Sequence, residues 1–205
     1  MKGLFSYEGP ISQWIGRILD YLLLGLLWSL FSMPVVTVGA ASVALHHTAR
    51  KVLRQEMSHV TTEFWHVFKS NLKQGTAVWL ILLGILVFLG IDIYYTLSLW
   101  MGGVLHGSVP ILLLILAALV LAWGQYLFSY LSYFRDVTGT ALNNCLLMVL
   151  SNPIASLGLV LLMACGAVVV YDIPGGLLLA APGIGLFGGK ITERVFQKYI
   201  PDQEV

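Results

Sequence analysis

The feature that most constrains this chain is a series of apolar runs, most of them about 18 residues or longer, separated by short polar stretches. A run of that length crosses a hydrocarbon core of roughly 30 Å as a helix. The rest of the composition leaves no other home for them: 58% of the 205 residues are hydrophobic and only 10% charged, with a mean hydropathy of +0.86. That is too little polarity to coat a water-soluble globule. Barrel strands would alternate apolar and polar residues in short segments, which these runs do not. The expected fold is therefore all-α and integral to the membrane, a five-helix transmembrane bundle with cytoplasmic amphipathic helices, in one domain over 1–205.

The five predicted spans are 15–38, 76–99, 109–134, 154–171 and 175–189. Pro34 interrupts the first, because a proline lacks the amide a helix needs and its ring clashes with the preceding turn. The fifth is short and carries Pro182 with Gly183, Gly185, Gly188 and Gly189, so a tilted, kinked or partly re-entrant helix is expected there. Basic residues set the orientation, since short loops rich in Lys and Arg stay in the cytoplasm. With five spans, nine of the eleven fall on one side, leaving only Lys2 and Arg17 across the membrane. The N-terminus is expected outside, and the C-terminus, with a short tail over 190–205, inside. Met1 to Asp20 reads as the approach to a signal-anchor span, not as a cleavable signal. Cys145 and Cys165 are read as small buried residues without a disulfide.

Between the first two spans lies a basic, aromatic-rich stretch, 46–74. On a helical wheel Ala41, Leu45, Ala49 and Val52 share one face, while His47, Arg50, Lys51 and Arg54 lie opposite. After a break expected around Ser58, Phe64, Phe68 and Leu72 recur every four residues with Trp65 beside them, against Thr62, Lys69 and Lys73. This pattern predicts an amphipathic hairpin over 41–74. It would lie in the membrane interface with its cations toward anionic headgroups, or pack on the cytoplasmic ends of the bundle. One reading makes it a connector. The other makes Phe64, Trp65, Phe68, Leu72, Arg50, Arg54, Lys69 and Lys73 contacts for a partner. A second inner connection, RDVTGTALNNCLLMVLSNP, is less basic, and the Ser-Asn pairs Ser70-Asn71 and Ser151-Asn152 hint at a duplicated half.

Candidate chemistry is sparse. Asp20 and Asp92 fall toward the outer ends of their spans, where they either reach the headgroups or line an outward polar cavity. No mid-span carboxylate has a cation at matching depth, so a proton or ion relay has no carriers. His46, His47, His59 and His66 lack the i, i+4 pairing with a nearby carboxylate of a hydrolytic zinc site. The glycine-rich PGGLLLAAPGIGLFGGK lacks the context of a phosphate-binding loop, and Gly185 and Gly189 form a GxxxG pair suited to close helix approach. No catalytic, cofactor-binding or metal residue is assigned, no nucleic-acid partner is expected, and enzyme activity is not expected.

The segments LLLGLLWSLFSMPVVTVGAASVAL, KVLRQ and FWHVFKSNLKQGTAVWLI resemble the YesL-like family of bacterial membrane proteins, most clearly over 22–81. The resemblance implies residence in the plasma membrane of a Gram-positive bacterium. It also implies an accessory role in oligosaccharide uptake beside an ABC importer, with its permease subunits and membrane lipids as partners. The chain lacks the EAA-x3-G loop by which such permeases engage their ATPase. The alternative is a stand-alone small transporter or channel, built on Asp20, Asp92 and the broken fifth span. A lipid-organising role is a third reading.

Overall fold

Pro34 ends the first span instead of bending it. The computed structural model describes residues 10–54, 59–104 and 106–199, with backbone alone at 10–13, 53 and 54. Helix α1 (Pro10–Ser32) stops before the residue that precedes the proline, as the ring's clash with that residue requires. A 3-10 turn (Val35–Thr37) follows, then α2 (Val38–Thr48). A break inside an apolar bundle would strand backbone carbonyls. Here the Thr37 hydroxyl lies 2.6 Å from the Phe31 carbonyl and 2.8 Å from that of Pro34. The Trp79 indole donates to the carbonyl of Val35 at 2.6 Å.

Helix α2 is a helix of small residues, and Ala40, Ala41, Val43 and Ala44 are fully buried. Their size lets its backbone lie directly on α3 (Val60–Met101). The closest approach is at Gly39, where a Cβ would stand 2.1 Å from the Gly75 carbonyl oxygen. The chain leaves α2 through a π-helical turn (Ala49–Arg54). The first half of the expected interfacial hairpin is therefore core. Its second half is not a separate helix either: α3 runs unbroken for 42 residues, about 63 Å at 1.5 Å per residue. Nothing between Asn71 and Thr76 stops it, because the one glycine there, Gly75, is clamped against α2. The break expected around Ser58 lies outside the described residues.

The remaining helices are α4 (Ser108–Tyr133), α5 (Thr138–Ser151), α6 (Pro153–Asp172) and α7 (Leu177–Tyr199). Helices α3 and α4 are antiparallel, with Leu82 against Gly124, Trp79 against Phe128 and Gln74 bonded to Asp136. Gly175, at φ +80°, turns the chain from α6 into α7. The two then run side by side for the whole length of α6. Gly176 abuts Val169, Gly166 abuts Ile184, Gly158 abuts Ile191, and Asn152 bonds the Tyr199 hydroxyl at the far end. On its other side α7 meets α1, where the Gly25 backbone rests on Leu178.

Among the described residues four helical segments are long and apolar enough to cross a membrane: Trp14–Ser32, Val60–Met101, Ser108–Tyr133 and Pro153–Asp172. The chain is thus an all-helical membrane protein, with no strand among the described residues. Helix α7 is not one of the four, because its second half carries Lys190, Glu193, Arg194 and Lys198. That half was expected to be tail. Up to Tyr199 it is helix instead, because Thr192, Val195 and Phe196 repeat at helical spacing and are buried. Phe196 enters an aromatic cluster, with ring centroids 5.6 Å from Tyr133, 5.8 Å from Tyr130 and 5.9 Å from Phe134. Cys145 is buried as expected, whereas Cys165 is exposed on α6, and both thiols are free.

Candidate binding cleft at the basic end

The helix pairings gather the cations of the described residues, Arg17 near the start of α1 excepted, at one end of the bundle. The C-terminal ends of α4 and α7 meet there through Phe134 and Phe196, and the Gln74 side chain of α3 reaches the Asp136 carbonyl just beyond α4. Between α2 with its π-helical turn, the N-terminal part of α3 and the last turn of α4 lies an open cleft of about 640 Å³.

Each wall is positioned by an apolar neighbour in sequence. Val52 is buried and turns Arg50 and Lys51 toward the opening. Phe64, Val67 and Phe68 anchor α3, leaving Glu63, His66 and Asn71 to line the cleft. Lys51 Nζ and Glu63 Oε1 pair at 2.8 Å. The Arg50 guanidinium lies over the Tyr133 ring, 3.8 Å from its centroid, a stacking that suits the planar group. Arg135 stands exposed at the rim. Among the described residues the lining has three Lys or Arg side chains against one carboxylate, and that carboxylate is engaged by Lys51. Among the described residues no carboxylate forms an ion pair with Arg50 or Arg135.

His47 sits between the two signs. Its Nδ1 is 3.2 Å from the Ser132 carbonyl, to which it donates, and its Nε2 is 3.6 Å from Glu63 Oε2. Burial holds the imidazole below its ordinary value of 6.5; Arg50 and Lys51 push the same way, against the Ser132 carbonyl and Glu63. The arrangement supplies fixed positive charge and N–H donors, the groups that hold an anion.

The other residues singled out from sequence are scattered. Phe64 and Phe68 belong to the core and pack on Phe31, at 5.7 Å and 4.9 Å between centroids; Leu72 packs against the same core. Trp65 is 43% exposed, with the Lys69 ammonium 4.7 Å from its ring centroid, and Lys73 is exposed. The side chain of Arg54 lies outside the described residues. Gly185 faces Leu45 of α2 and Ala49 of the π-helical turn, so its small size serves a contact within the bundle, and Gly189 is buried with open space where a Cβ would stand.

Helices α1 and α3 touch at Phe31 and Phe68, about 16 Å along α1 from Asp20 and about 36 Å along α3 from Asp92. What the sequence did not mark out is Glu63, Tyr133 and Ser132. Their partners lie 12 to 85 positions away in the chain, so no local spacing announces them. A second polar group lies inside the bundle, where His46 Nε2 is 3.2 Å from Gln125 Oε1 and Ser129 is 2.6 Å from Thr192.

A family described as "Protein of unknown function, DUF624" matches residues 21–93. The match spans α1 from Tyr21, the break at Pro34, α2 and most of α3, and so two of the three walls of the cleft. No curated protein and no solved structure matches the chain.

Proposed function

We propose that this chain is a non-enzymatic accessory protein of a bacterial plasma membrane that binds the permease subunits of an oligosaccharide ABC importer. The observation that carries the reading is the length of α3. A helix of about 63 Å is twice the hydrocarbon thickness, and its less apolar end is 60–75. That extension is rigid, because it continues a span and is fastened to α2 at Gly75. Along it Trp65, Lys69 and Lys73 form an exposed stripe at i, i+4, i+8, an aromatic anchor with two cations fit to meet an acidic segment. The importer context comes from the YesL-like resemblance over 22–81, which falls within the matched 21–93.

In this reading α7 is a fifth span, since it accompanies α6 from end to end, and its charges lie on the side where the other cations lie. The positive-inside rule then puts that end in the cytoplasm and the N-terminus outside. The test is recovery of permease subunits with the tagged protein after mild extraction from native membranes. Wild type is expected to retain them, and the triple variant Trp65→Ala, Lys69→Glu, Lys73→Glu to lose them. Their absence from the wild-type sample overturns the reading.

A stand-alone transporter or channel is the second reading, and the internal polar group favours it, since His46, Gln125, Ser129 and Thr192 join α2, α4 and α7 within the bundle. Reconstituted protein would then move a sugar or an ion across vesicles, with less flux on Gln125→Leu or Asp92→Ala. No flux for a broad solute panel overturns it.

A further inference from the structure

We infer that the cleft at the basic end is a headgroup site for an anionic phospholipid, with Arg50 and Arg135 holding the lipid phosphodiester. The inference stands on the cleft alone and does not require the importer reading.

The first ground is depth. One wall of the cleft is the C-terminal end of α4, at Ser132, Tyr133 and Arg135, and α4 is a membrane-crossing helix by length and composition up to Tyr133. Its last turn is where the chain leaves hydrocarbon and meets phosphate. Tyr133 marks that level, as aromatic residues do at membrane interfaces. A phosphate at this height comes from a lipid before it comes from bulk water.

The second ground is charge left over. Lys51 and Glu63 neutralise each other at 2.8 Å. Arg50 and Arg135 do not share in that pair, and guanidinium groups match two phosphate oxygens at once where an ammonium matches one. Arg50 is also held in place before any ligand arrives, because its plane lies over Tyr133, which lowers the cost of ordering it on binding. The third ground is room. About 640 Å³ is within the usual range for a small-molecule site, so a glycerol-phosphate headgroup fits while its acyl chains stay against the apolar flank of the helices. Basic recesses between helices on the cytoplasmic side are a general form of lipid headgroup site.

The test uses the full chain purified in mild detergent. Phosphatidylglycerol, phosphatidylcholine and inorganic phosphate are titrated separately, with bound lipid read by native mass spectrometry and melting temperature read in parallel. Phosphatidylglycerol is expected to bind and to raise the melting temperature, less so at high salt. Arg135→Gln is expected to weaken its binding about tenfold, the loss of a charge-assisted bond. Lys190→Gln, which removes an exposed cation outside the cleft, is expected to leave it unchanged. Arg135 is exposed and its replacement keeps the fold, so the result stands even if Arg50→Gln unfolds the protein. Equal binding of phosphatidylcholine, equal stabilisation by inorganic phosphate, displacement of the lipid by an acidic peptide, or unchanged affinity in Arg135→Gln would each overturn the proposal. Failure here leaves permease recovery untouched, and failure of permease recovery leaves this site untouched.

Discussion

Thr37 and Gly39 explain, at the scale of single residues, why PVVTVGA reads as it does. Pro34 stops a helix, Thr37 returns its one hydroxyl to the carbonyls left behind, and Gly39 admits the backbone of α3. Thr37→Val keeps the shape and removes the donor, so it is expected to lower stability by about 1–3 kcal/mol, the cost of an unmade bond, as a reduced melting temperature in detergent. Gly39→Ala is expected to cost about as much by forcing α2 off α3. Gly84→Ala, with open space around its Cβ, should leave melting unchanged or slightly higher. Equal effects at Gly39 and Gly84 would refute the backbone contact. His47 makes a pH prediction. Its folded-state pKa is lowered from 6.5, so below about pH 6.5 the unfolded chain takes up the proton first, and stability falls as pH drops. Measured melting should therefore decline toward acid, and His47→Gln should flatten part of that decline.

At the scale of elements, the spans were legible because apolar length needs no partner to be recognised. The ends of 109–134 and 154–171 fall within a residue of α4 and α6. What a wheel could not reveal is whether an apolar face meets lipid or protein. Phe64, Phe68 and Leu72 have the spacing of an interfacial helix, yet Phe64 and Phe68 face Phe31 of α1 and Leu72 packs on the same core. Likewise the charges after Lys190 disguised a helix whose Thr192, Val195 and Phe196 stripe was present in the sequence. Continuity of α3 across the former hairpin boundary is testable. Lys73→Pro sits on an exposed position in the middle of one helix, so it is expected to destabilise by about 3 kcal/mol, visible as lost expression or a sharply lower melting temperature. A chain with a natural joint near 74 would tolerate it.

For the whole molecule, charge and topology bear on each other. With α7 crossing, the described cations other than Arg17 share one face, and the start of α1 and the end of α7 lie on opposite sides. A fluorescent protein fused after Val205 should then fold and glow in the cytoplasm, and an alkaline phosphatase fusion at the same point should stay inactive. The reverse pair of results would remove α7 from the spans. The cleft itself was only half legible. Arg50, Lys51 and Arg135 could be counted from the sequence, but their meeting depends on α2 lying on α3, and that contact is made by backbone at Gly39 and Gly75.

The unbroken course of α3 also makes it a lever. Gly75 is its fulcrum, with an arm of about 22 Å toward Val60 and one of about 39 Å toward Met101. A tilt of about 10° there would swing the Met101 end by about 7 Å and the Val60 end by about 4 Å in the opposite sense. A rigid α3 would carry any change in how its Met101 half sits in the bilayer to Trp65, Lys69 and the mouth of the cleft.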